Sequence, residues 1–179
     1  MKTKKTNHSE KVNELLPIVE NLRKQYDDAG RAWYYAHKAN ASNANELWQL
    51  NKSIKAELEA REEELKFHQI MAQEKRYATE WLYSDAHAYE IIEEKSDSTL
   101  VVRRLKATIK PEAKKALQES FVPGGFCGNF ENSLQEWDFE SDENGYTTII
   151  RRSKKGNWMS NGIRFTIEAK PVEVFDYNF

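Results

Sequence analysis

The sequence holds a single cysteine, Cys127, among 179 residues, so no disulfide can form within the chain, and a reducing, cytosolic life is expected. It lacks any apolar run near the roughly 20 residues that a membrane span needs. No apolar core stands behind the basic residues of Met1–Thr6, so the start does not read as a secretory signal. Residues 1–8 are instead expected to form a disordered, solvated tail. An excess of charge is missing too: 27 Lys and Arg face 29 Asp and Glu, a net charge of -2. No global field then points at nucleic acid or at an anionic membrane, and only a local patch can attract such a partner. His8, His37, His68, His87 and Cys127 show no metal-ligand spacing. No Gly-Lys-Ser or Gly-Lys-Thr follows a glycine-rich stretch, and no repeat of 20 to 50 residues is visible. No cofactor is expected.

What is present divides into two halves of different periodicity. Charged residues make up 31% of the chain and mean hydropathy is -0.84, polar enough for a solvated helical part to dilute a smaller packed part. Val12, Leu15, Leu16, Val19, Leu22, Tyr26, Ala29, Trp33 and Ala36 recur in steps of mostly three and four, one stripe of a helix. Ser9 is the expected N-cap, and Pro17 either starts the regular helix or kinks it. The short polar residues of Lys38–Ala44 read as a turn. Asn43, with Glu46 three residues on, resembles a capping box for a second helix. That helix is expected to run through Leu47, Leu50, Ile54, Leu58, Leu65, Met71 and Ala78 to Trp81, supported by Glu57–Arg61 and Glu62–Lys66 in the favourable order. Apolar seams of this width suit either docking on the rest of the chain or a homodimer through the helices.

From Tyr83 apolar residues alternate instead. Ala88–Glu94 and Thr99–Leu105 read as one β-hairpin across Lys95–Ser98. Gln135–Glu140 and Tyr146–Arg152 read as a second, joined by Asp142-Glu-Asn-Gly145, because Asn-Gly is a strong hairpin signal. Trp137 and Phe139 share one strand face, with Glu136, Asp138 and Glu140 on the other. Lys154–Asn157 and Ser160–Gly162 mark turns, and Gly162–Ile167 and Pro171–Phe175 read as strands. Pro111–Ser120 suits a short helix or a crossover. The expected fold class is α+β: a long antiparallel helical hairpin over residues 9–82, then a small antiparallel β-sheet or partly open barrel over residues 83–179.

Three places carry candidate chemistry. In Tyr83-Ser-Asp-Ala-His-Ala-Tyr89, Asp85 and His87 stand two apart, which on a strand allows a carboxylate to orient an imidazole. The alternative is that Asp85 caps the turn and His87 satisfies a backbone group. Phe121-Val-Pro-Gly-Gly-Phe-Cys-Gly-Asn-Phe130 is either a loop where backbone approaches a ligand or a tight turn stapled by Phe121, Phe126 and Phe130. Cys127 as a nucleophile would need a positioned base, and His87 is the one histidine in this half. Arg103, Arg104, Arg151, Arg152, Lys154 and Lys155, with Tyr146 and Trp158 nearby, either grip phosphates and stack bases or answer the acidic strands Glu90–Glu94 and Glu136–Asp142. The candidate binding set is Asp85, His87, Tyr89, Arg103, Arg104, Phe126, Arg151, Arg152, Lys154 and Trp158, with no catalytic residue assigned.

The YSDAHAY cluster, Arg103–Pro111 (RRLKATIKP), Phe121–Phe126 (FVPGGF), Ile150–Gly156 and the terminal Phe175-Asp-Tyr-Asn-Phe179 resemble a family of small proteins found in tailed phages and prophages. The resemblance covers about the last 95 residues. Family members often carry Gly-His after the glycine-rich loop, where Asn129 stands here. The resemblance implies a phage or mobile-element origin and action in the cytoplasm of a host bacterium. Small phage accessory proteins commonly bind a host factor, including defence nucleases, or DNA. The expected function is thus a binding protein, not an enzyme: an inhibitor of a CRISPR-type or restriction-type defence that docks on a protein or a protein–nucleic-acid complex. The alternatives are a nucleic-acid-binding or small-ligand-binding phage protein, or a small hydrolase using Asp85 and His87.

Overall fold

The computed structural model describes residues 6–124 and 129–178. Two compact units divide the chain, Asn7–Ala72 and the part from Gln73 onward. The first is an antiparallel pair of helices, α1 (His8–Lys38) and α2 (Ala44–Met71). Its core is the shared stripe Leu15, Val19, Leu22, Leu58 and Leu65, flanked by Val12, Tyr26 and Ile54. Much of the stripe expected of α1 is thus buried against α2, leaving Leu16, Ile18 and Leu50 at the surface. Asn7, not Ser9, is the N-cap and accepts from the Glu10 N–H, so the helix starts at His8 inside the expected tail. Pro17 sits within the helix without ending it. Asn43 occupies the N-cap of α2 but makes no side-chain cap bond, so the expected capping box does not form.

The helix-to-helix turn is a Schellman motif. Asn40 takes a left-handed φ of 52°, its N–H donates to the His37 carbonyl, and the Ala41 N–H donates to that of Ala36. Helix α2 ends at Met71, ten residues short of the expected Trp81. Tyr77–Trp81 is a strand, β1. Ala78 and Trp81 imitate helical spacing, but Tyr77, Thr79 and Trp81 are strand-forming residues at period two, and β1 bonds to a neighbour along each of its edges.

The second unit holds seven more strands: β2 (Ala86–Ser96), β3 (Thr99–Arg104), β4 (Lys106–Ile109), β5 (Trp137–Glu140), β6 (Thr147–Arg152), β7 (Trp158–Ser160) and β8 (Ile163–Glu168). Six of them close an antiparallel barrel in the order β1-β2-β3-β6-β7-β8, with β4 and β5 paired as a separate ribbon. The helix α3 (Pro111–Glu119) lies between β4 and β5 in the chain, with Pro at its first position. The barrel interior is built by alternate residues. Tyr89, Val102, Leu100, Ile150, Trp158, Phe165 and Ile167 are buried, and the Tyr89 and Phe165 rings meet edge to face at 5.5 Å.

The β2–β3 hairpin forms as expected. The second does not: β5 pairs with β4 and β6 with β3, so Asp142–Gly145 is a corner between sheets. Asp142 makes it, its side chain accepting from the Asn144 N–H and its carbonyl from the Gly145 N–H. Gly145 is required there because a Cβ would strike the Arg104 carbonyl oxygen, while the Arg104 N–H donates to Tyr146 O at 2.8 Å. The Asn-Gly pair that does make a hairpin is Asn161-Gly162 between β7 and β8, with φ of 49° and 84°, the two positive values that a type I′ turn demands. The expected strand Pro171–Phe175 is reduced to one bridge, Val174 to Ala86.

Candidate functional site

Beyond Leu105, whose N–H still bonds the Ala88 carbonyl, the chain leaves β2, and the start of β2 has no strand partner on that edge. The C-terminal segment fills the gap. Val174 exchanges both backbone bonds with Ala86, and a Glu173 carboxylate oxygen accepts from the Ala88 N–H at 2.9 Å. The same carboxylate accepts from both arms of the Arg104 guanidinium at 2.8 and 2.6 Å. His87 Nδ1 lies 3.2 Å from Glu173 and 3.1 Å from Arg104 Nη2. It therefore donates to the carboxylate in one tautomer and accepts from the guanidinium in the other. Arg104 also donates to the Ala88 carbonyl and lies over the Tyr89 ring, 5.7 Å from its centre. The Tyr89 hydroxyl donates to Glu80 at 3.0 Å.

These five side chains, Glu80, His87, Tyr89, Arg104 and Glu173, form one polar network at an end of the barrel. The surroundings hold the protonation states of two of its members, Glu173 and Tyr89. Burial pushes the Glu173 carboxyl up, but the bonds from His87, Arg104 and the Ala88 amide outweigh it and bring its pKa down to about 2. Burial, then the charge and acceptor bond of Glu80, raises the Tyr89 phenol well above its usual value. Glu173 is thus a fixed anion and Tyr89 a fixed donor. Chemically the network is a clamp: it neutralises a half-buried guanidinium and ties the C-terminal segment to β2.

Asp85 belongs to a different arrangement. Its Oδ1 accepts from the Asp176 N–H and lies 3.5 Å from Ser84 Oγ, so of the two readings of Asp85 and His87 the acid–base pair does not form. Amide side chains complete this strap. Gln135 brackets the backbone of Phe175, donating to its carbonyl and accepting from its N–H, and Asn178 does the same to Phe130. Phe121 and Phe130 meet as tilted rings 4.9 Å apart, and Val122 and Asn129 exchange backbone bonds, so the base of the glycine-rich loop is a stapled turn. Phe126 and Cys127 lie outside the described residues.

The basic residues split. Arg103 pairs with Glu90 across the strands at 2.7 Å and also bonds Ser141, while Lys106 meets Glu140 and Lys110 meets Glu136. Arg151, Arg152 and Lys154 remain exposed on β6 and the turn after it. Trp158 is 5% exposed and faces the core, so it is no stacking surface. Glu173, the residue that organises the network, carried no sequence signal beyond its position in a short apolar stretch.

The helical unit carries a cluster of another kind. At its turn end, Trp33 stacks on His37 at 5.5 Å and lies 5.1 Å from Trp48, and Tyr34 meets Tyr35 edge to face. Tyr35 is 66% exposed, Tyr34 54% and Trp48 45%. Among the described residues no helix is long and apolar enough to cross a membrane. Comparison with protein-family models, with curated proteins and with solved structures finds no match for this chain.

Proposed function

We propose that this chain is a binding protein that presents the aromatic end of its helical hairpin to a protein partner. The observation that carries the reading is two aromatic pairs near the turn, Trp33 with Trp48 and Tyr34 with Tyr35, three of these rings about half exposed or more. Large rigid rings bury much area for little lost side-chain entropy, which is why Trp and Tyr dominate the energetics of protein interfaces. Here the rings sit on two helices joined by a tight Schellman turn, so the patch is pre-organised. With the resemblance to tailed-phage proteins, the partner is a component of a bacterial defence system of CRISPR or restriction type, and binding inhibits it. Cytoplasmic action follows from the same reading.

The test has two parts. Cells that carry a defence system and express the chain should be infected more efficiently than cells without it. The chain should also bind the purified defence complex, with Tyr35→Ala and Trp48→Ala each weakening binding by about thirtyfold, the scale of an interface hot spot. Protection unchanged by expression overturns the inhibitor reading. Binding that survives both substitutions overturns the aromatic patch as the contact.

A further inference from the structure

A second surface lies on the outside of the barrel, and its argument is independent of the helical patch. Strand register places Trp81 opposite Arg164, Arg164 opposite Met159, and Met159 opposite Arg151. Residues directly opposite share a sheet face, so these four form one row across β1, β8, β7 and β6. Phe165 and Trp158 occupy the alternate positions and fill the core, which puts the row on the outer face. Three strand spacings make the row about 15 Å long. Trp81 is 42% exposed, and Arg151 and Arg164 are exposed. The Trp81 indole N–H donates to Thr166 Oγ1 at 2.8 Å, which holds the ring against the sheet.

The local charge is opposite to that of the whole chain. Between Thr147 and Lys170 stand six cations, Arg151, Arg152, Lys154, Lys155, Arg164 and Lys170, against one carboxylate, Glu168, in a protein of net charge -2. Among the described residues no carboxylate pairs with Arg151, Arg164, Lys154 or Lys155, in contrast to Arg103 and Arg104. An exposed tryptophan anchored by its N–H, in one row with Arg164, Met159 and Arg151, combines a stacking platform with phosphate-binding charge.

We propose that the row Trp81–Arg164–Met159–Arg151, with the Lys154–Lys155 turn, binds single-stranded nucleic acid. Trp81 stacks on an unpaired base, Met159 packs beside it, and the arginines and lysines hold the phosphates. A duplex offers no free base face to the ring, so single strands are preferred.

The full chain is titrated into a fluorescein-labelled 15-nucleotide oligothymidylate, followed by anisotropy, between 50 and 200 mM salt. Four phosphate contacts predict a slope of log affinity against log salt of about -3, and Arg151→Gln with Arg164→Gln should reduce it by about 1.4. Trp81→Ala should weaken binding by about tenfold or more with the slope unchanged, and Trp81→Phe should restore most of the loss. These side chains are exposed, and a matching circular dichroism spectrum and melting temperature confirm that each variant folds. No binding at 50 mM salt overturns the proposal. So does a Trp81→Ala variant of full affinity, or equal binding of polyglutamate, which would assign the patch to an acidic protein.

Discussion

Replacing Glu173 by glutamine removes the one charge that the barrel's polar network is built around. The carboxylate is 7% exposed and accepts two bonds from Arg104, one from the Ala88 amide and one from His87. Its pKa falls from the usual 4.5 to about 2, which corresponds to about 3 kcal/mol of preference for the folded state near neutral pH. The sign is that of a carboxylate with a depressed pKa. Its contribution is complete above about pH 5 and disappears as pH falls through 2. Glu173→Gln also puts amide hydrogens where Arg104 and Ala88 already offer donors, so the loss at pH 7 should be about 3–5 kcal/mol. Urea denaturation of both proteins, read by tryptophan fluorescence with Trp33 and Trp48 changed to Phe, reports the second unit through Trp81, Trp137 and Trp158. The stability gap should be largest at pH 7 and shrink by about 2 kcal/mol at pH 2.5, where Glu173 has lost most of its advantage. A gap below 1 kcal/mol at pH 7, or one that does not change with pH, would refute the network as the clamp described.

Two further outcomes follow from the same geometry. Gly145→Ala should cost about 2 kcal/mol or more, read as a lower urea midpoint, because the new methyl meets the Arg104 carbonyl and that backbone cannot move without giving up its bond to Tyr146. A chain begun at Gln73 should show a strand-rich circular dichroism spectrum and melt cooperatively, whereas one begun at Tyr83 lacks β1 and should not. Equal melting of the two would mean that closure through β1 does not hold the barrel together.

The helices and the hairpin β2–β3 were legible because each depends on neighbours in sequence: a stripe at steps of mostly three and four, a run of short polar residues at the turn, a short loop between alternating strands. What was missed depends on distant pairing. Tyr77–Trp81 continued a helical pattern closely enough to pass for it, and the facts that decide against it are the strands β2 and β8 on its two edges. The two Asn-Gly pairs read alike, yet Asn144-Gly145 turns a corner because β6 finds β3, while Asn161-Gly162 closes a hairpin. Arg104 was legible as a functional candidate, but Glu173, which it grips, stands 69 residues away. Trp158 belongs to a strand of three residues, too short for alternation to show which way it faces. Arg164 and Trp81 become neighbours only through barrel closure, so no local pattern could join them.

Closure of the barrel also sets an order of events during synthesis. Strand β1 is made early, yet one of its edges is completed only by β8, some eighty residues later, which is about 4–16 s at ordinary rates of elongation. Through that interval the first strands leave the ribosome with an edge open to other chains. The helices have no such wait, since α1 and α2 follow one another directly and their contacts are local. The helical hairpin can therefore fold while the chain is still being translated, seconds before a barrel exists.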